Sequence, residues 1–172
     1  MLKIKDKMLL GIVAGLGANT VKLTLNTIFK ELKWIEMGSP ERALGIFLPS
    51  HTLTQKKGRI IGYLADSTVA SLLGVIFTYV LSKTGKNKAV LKGSIFGQSS
   101  WALLYGVLGT LGATKISPGS PNTVLAEFIS HTAFGATSTY LITKFGDSGQ
   151  NNATGTLGQA NLNDSILESA SS

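Results

Sequence analysis

Lys22, Asp66, Glu127 and His131 stand inside otherwise apolar stretches of this 172-residue chain. Glu127 and His131 are one helical turn apart, so a carboxylate and an imidazole there can share a proton near neutral pH. Lys22 and Asp66 carry opposite charge and neutralise one another if their segments meet. Asn19 and Asn26 flank Lys22 at helical spacing, and Tyr105 adds a phenol from another apolar stretch. Two chemistries fit this polar cluster. One is a buried site for a proton, an ion or a small polar solute, since ionisable groups in apolar segments mark pathways. The other is structural: Lys22 cancels Asp66, Asn19 and Asn26 hydrogen-bond between helices, and Glu127 snorkels or caps its helix.

Catalysis finds less support. The sequence has no G-x-S-x-G, no P-loop and no Ser/His/Asp motif in a recognisable context, so a non-enzyme is expected. It has no cysteine, which excludes disulfides, thiol catalysis and Cys-ligated metals. His51, Asp66, Glu127 and His131 show no H-E-x-x-H or comparable spacing, so neither a metal nor another cofactor is expected.

These side chains must be held by four apolar blocks, residues 8–29, 60–81, 93–111 and 123–143. Each approaches or exceeds the roughly 20 residues that cross a hydrocarbon core as a helix. The mean hydropathy of +0.25 is modest only because a polar segment follows Phe145. The predicted fold class is all-α: an integral membrane four-helix bundle over residues 1–145, multi-pass in the cell (inner) membrane. Residues 146–172, rich in Gly, Asn, Ser and Thr, are predicted to be a disordered tail. Lys3, Lys5 and Lys7 resemble the start of a signal peptide, but apolar sequence continues past Ala18 to Phe29 without a convincing cleavage site, so a retained first helix is expected.

Each block carries a stripe. Gly11, Gly15, Asn19, Lys22 and Asn26 share a helical face in the first, and Gly62, Asp66, Ala70, Gly74 and Thr78 in the second. The third opens with Gly93-x-x-x-Gly97 and carries Ser94, Gln98, Trp101, Tyr105 and Gly109; the fourth carries Glu127, His131, Gly135 and Ser138. Small residues let backbones approach and lipid cannot solvate polar ones, so the stripes are predicted to face other helices. Lys30 to Trp34 makes a boundary of the headgroup type. Gly38-Ser39-Pro40 starts a short helix from Pro40 to about Leu48, stopped by Pro49 and placed on the membrane surface or tucked against the bundle. Ser120 or Asn122 is available to cap the fourth span.

Helices joined by short loops alternate in direction. Counting from the side shared by the end of the first span and the start of the second, Lys22 lies ~10 Å deep, Asp66 and Tyr105 ~9 Å, Glu127 ~6 Å and His131 ~12 Å. The ionisable groups therefore converge on one level. The formal charge of +7 sits in short runs at span ends, which suits topology and anionic lipid better than nucleic acid. Eight lysines fall on the amino-terminal side and seven Lys or Arg on the other, Arg42 among them, a near tie that leans to an inside amino terminus. Gly38-Ser39-Pro40 with Leu44, Phe47 and Leu48 also echoes Gly119-Ser120-Pro121 with Leu125, Phe128 and Ile129, as a duplicated two-helix unit or chance would give.

Several short motifs carry a family resemblance: Gly11-Ile-Val-Ala-Gly15 with Asn19 and Lys22, Ile61-Gly62-x-x-Ala65-Asp66, Leu91-Lys92-Gly93-x-x-x-Gly97, Trp101-x-x-x-Tyr105-Gly106, and Ser120-Pro121 leading to Phe128-Ile129-Ser130-His131. Over residues 8–145 the chain resembles small bacterial inner-membrane proteins of the YqhR/YagU-like kind. The resemblance implies a four-helix membrane protein and transfers no catalytic residue. The function expected is non-enzymatic assembly with itself or a membrane partner through the small-residue seams, with permeation or proton-coupled transport through the polar cluster as the alternative. The lipid bilayer is the expected surrounding partner.

Overall fold

Apolar blocks bounded by capping residues wind into helices. The computed structural model describes residues 3–47, 56–107, 111 and 120–146. In it α1 spans Lys7–Glu31, α2 Ser39–Phe47, α3 Lys56–Thr84, α4 Ala89–Trp101 and α5 Pro121–Phe145, and a π-helical segment, Ala102–Val107, continues α4. Among the described residues there is no strand, only an isolated bridge between Ile4 and Gly146. The chain is all-α, and α1 and α3 are long and apolar enough to cross a membrane. Leu48, His51, Gly109, most of the linker before Ser120 and the polar tail lie outside the described residues.

The helix ends follow local chemistry. Asp6 caps α1, its carboxylate accepting from the Leu9 N–H at 2.6 Å, and Ser120 caps α5, accepting from the Thr123 N–H at 3.4 Å ahead of Pro121. At the far end of α1, Lys33 adopts the left-handed region at φ 59°. The Trp34 N–H returns to the Phe29 carbonyl at 2.9 Å and that of Lys33 to Lys30 at 3.0 Å, the Schellman arrangement, which stacks the Trp34 ring on Phe29 at 5.5 Å. The helix predicted from Pro40 begins one residue earlier, at Ser39, whose side chain is fully buried.

Long helices alternate in direction. α1 packs against α3 and α5, α4 against α5, and α2 against the start of α3. The backbones touch wherever glycine permits. A Cβ on Gly15 would strike the Ala70 carbonyl, and one on Gly74 the Gly11 carbonyl. The second pair repeats this contact: a Cβ on Gly97 would strike the His131 carbonyl, and one on Gly135 the Gly93 carbonyl. Thr78 Oγ1 donates to the Gly74 carbonyl at 2.9 Å, and Thr139 Oγ1 to that of Gly135 at 3.0 Å. The α1–α3 and α4–α5 pairs are thus one hairpin built twice, Asp66-Ala70-Gly74-Thr78 matching Glu127-His131-Gly135-Thr139. This corrects the echo read from the sequence, which aligned α2 with the start of α5. There Leu44 is buried whereas Leu125 is exposed, because the two segments occupy different environments.

The small-residue seams make these contacts inside the chain. In α4 the predicted Gly93 and Gly97 pair, with Ser100, packs closest against α5, and the predicted stripe flanks that contact: Gln98 Nε2 donates to Thr132 Oγ1 at 3.1 Å and the Trp101 ring meets Phe128 edge to face at 6.3 Å. Phe77 and Phe134 fill the wider space between hairpins, their rings 6.1 Å apart. Large apolar side chains such as Leu64, Leu72, Ile76, Ile95 and Leu103 point outward. Gly74→Ala and Gly135→Ala should each cost about 1–3 kcal/mol by overpacking. Gly106→Ala, with open space around it among the described residues, should not lower the thermal unfolding midpoint.

Candidate functional site

Gly15 resting on Ala70 brings α1 so close to α3 that a lysine two turns further along can span the gap. Lys22 Nζ donates to Asp66 Oδ1 at 2.6 Å, with Lys22 5% and Asp66 4% exposed. The ammonium also sits 5.7 Å from the centre of the Phe134 ring, whose face favours a cation. An ammonium and a carboxylate this deep are tolerable only as a pair.

Glu127, 2% exposed, occupies in the second hairpin the place that Asp66 has in the first. The position that corresponds to Lys22 is Leu104, in the π-helical segment that continues α4, so this side of the second hairpin offers no cation. It comes from α2: Arg42 Nε lies 3.6 Å from Glu127 Oε1 and donates to the Met37 carbonyl at 3.4 Å. His131 Nδ1 is 3.5 Å from Glu127 Oε2 and 2.9 Å from the Glu127 carbonyl oxygen. Tyr105, in the π-helical segment, meets the His131 ring edge to face at 5.8 Å. Between the two ion pairs, Asn26 Nδ2 donates to Ser39 Oγ at 2.6 Å and Ser130 Oγ donates to Asn26 Oδ1 at 3.0 Å, tying α1, α2 and α5 together.

Lys22, Asp66, Asn26, Glu127, His131 and Tyr105 therefore come together near the end of the bundle that α2 covers. Glu127 lies within the electrostatic influence of Arg42, Lys22 and Asp66, and Tyr105 within that of Glu127, Asp66 and Arg42. Asn19 is buried one turn deeper than Lys22. Glu127 neither snorkels nor caps α5, because an internal cation meets it. Neither Arg42, Ser39 nor Ser130 belongs to the polar cluster read from the sequence, where Ser39 marks only the start of α2. Arg42 reads there as one more surface charge, yet it shares a helical face with Ser39 beside the buried Ala43 and Leu44, and that pattern marks it as adjoining the core.

Two cations and two carboxylates leave the cluster formally neutral. Its hydrogen bonding is less even. Among the described residues Asp66 Oδ2, both Glu127 carboxylate oxygens, Asn19 Oδ1 and Ser138 Oγ are buried without a hydrogen-bond partner. All can accept, so the interior has spare capacity for a hydrogen-bond donor. Among the described residues no three His, Asp or Glu side chains could hold a metal ion. No protein-family model, curated protein or solved structure matches the chain.

Arg42→Met should strand the Glu127 carboxylate and lower stability by about 3–5 kcal/mol. Adding Glu127→Gln should recover much of that loss in thermal unfolding, whereas independent costs would show that the two side chains do not interact.

Proposed function

We propose that this chain is a non-enzymatic integral membrane protein in which α1, α3, α4 with its π-helical extension, and α5 cross the bilayer, and in which the charged cluster holds the helices in one arrangement. The observation that supports this most is the distribution of polarity. Lys22, Asp66, Glu127, His131, Asn19 and Asn26 are inside, while Leu64 at 64% and Leu72 at 60% exposure typify the outer faces. Water would favour the reverse, and hydrocarbon favours this one. Exposed Tyr63 and Tyr79 lie ~24 Å apart along α3, the separation of two interfacial aromatic belts. The resemblance to the YqhR/YagU-like inner-membrane proteins belongs to the same proposal and rests on the sequence motifs. Contact with a second copy or a partner falls to the outward faces of α3 and α4, since the glycine seams are used internally.

The chain's lack of cysteine makes topology directly testable. Asn87→Cys and Glu36→Cys, exposed at opposite ends of the bundle, should react with a membrane-impermeant maleimide from opposite sides of sealed membranes. Reaction of both from one side, or recovery of the protein as a monodisperse species without detergent, would overturn the proposal.

A second reading, passage of a proton or small polar solute, is favoured by the spare acceptors on Asp66 and Glu127. Under it, Asp66→Asn or His131→Ala with intact folding should abolish flux into liposomes containing the protein. The holding role predicts no wild-type flux and altered stability alone.

A further inference from the structure

The near tie in basic residues between the two ends does not survive in three dimensions. At the end beyond α2, Arg42 is turned inward to Glu127, Lys30 is paired with Glu41 at 3.2 Å, and Glu31 and Glu36 offset part of the charge of Lys33, Lys56, Lys57 and Arg59. Among the described residues the opposite end gathers Lys3, Lys5, Lys7, Lys83, Lys86, Lys88, Lys92 and Lys144, with Asp6 as the acid among them, its carboxylate held by the Leu9 N–H.

That end also has a cleft. Lys5, Lys7, Lys86 and Ser82 line it, and Leu81 and Ile142 line its apolar part. The carboxyl ends of α3 and α5 lie here, and their carbonyls alone would repel an anion. Lysines already occupy them. Lys3 Nζ donates to the Lys144 and Gly146 carbonyls at 3.1 and 3.3 Å, and Lys92 Nζ to those of Thr84 and Gly85 at 2.8 and 3.0 Å. The amino ends of α1 and α4, which favour anions, lie at the same end. Lysine rim, apolar lining and muted carbonyls together fit a group that is anionic at its tip and apolar below.

We propose that this cleft binds the headgroup phosphate of an anionic phospholipid from the adjoining leaflet. Phosphate sits beside the Lys5 and Lys7 ammonium groups, and acyl chains continue along the outward apolar faces of the helices. The proposal rests on the membrane reading above. It also orients the chain, since the lysine-rich end then faces the anionic cytoplasmic leaflet.

The test is retention of phosphatidylglycerol against phosphatidylcholine by the full chain in mild non-ionic detergent, followed by native mass spectrometry. Wild type should prefer phosphatidylglycerol, and Lys5→Gln/Lys7→Gln should lower that preference about tenfold or more. Lys33→Gln/Lys57→Gln, at the other end, should keep it. Unfolding midpoints in phosphatidylcholine should match for all three proteins, because these lysines lie outside the packed core. Equal preference in wild type and Lys5→Gln/Lys7→Gln would overturn the proposal. So would release of bound phosphatidylglycerol by millimolar inorganic phosphate with phosphate retained in its place, which would mark a free-anion site. Failure of the membrane reading looks different: the protein would be monodisperse without detergent and would retain neither lipid.

Discussion

Taking an ammonium out of water costs several kcal/mol unless a carboxylate receives it, and the contact between Lys22 and Asp66 is where this fold meets that demand. The pair fixes α1 against α3 at one height and one rotation, because a shift of either helix would strand two buried charges. Glycine makes the pair possible. Without the backbone contact of Gly15 on Ala70 and of Gly74 on Gly11, the helices would stand further apart. Close packing and charge pairing are therefore two aspects of one constraint, written along the same faces of the same helices.

The repeated hairpin explains why the rest of the site looks as it does. Both copies carry a carboxylate four residues before the close-packed turn, Asp66 in one and Glu127 in the other. In the first copy the neighbouring long helix supplies the cation; in the second Leu104 stands there, and α2 reaches in with Arg42. The short helix inserted into the first hairpin thus completes the second. This accounts for the burial of Ser39, Ala43 and Leu44, and for the hydrogen-bonded chain through Ser39, Asn26 and Ser130 that locks α2 in place. His131 and Tyr105 close the cluster on the α4 side.

Much of this was legible in the sequence where a residue type and a period agreed. The stripes from Gly11 to Asn26, from Gly62 to Thr78 and from Glu127 to Ser138 combine small or polar residues with helical steps, and each lies on a buried face. Legibility failed where tertiary context assigned the role. Arg42 looks like any loop cation until the missing partner of Glu127 is known. On the third span the Gly93-x-x-x-Gly97 pair and the stripe through Gln98, Trp101 and Tyr105 do meet α5, but the spacing gives no sign that Ser100 is buried beside them. The matching letters, Gly-Ser-Pro with Gly-Ser-Pro, do not mark the duplication, which persists in spacing and contact rather than in residue identity.

The buried charges are paired across helices rather than separately solvated. A double-mutant cycle on Lys22→Met and Asp66→Leu, read by equilibrium unfolding in detergent, tests this pairing most directly. Each single change should cost about 3–5 kcal/mol, and the double variant should regain most of that, giving a coupling of about 2 kcal/mol or more. Costs that simply add, with coupling near zero, would contradict the account.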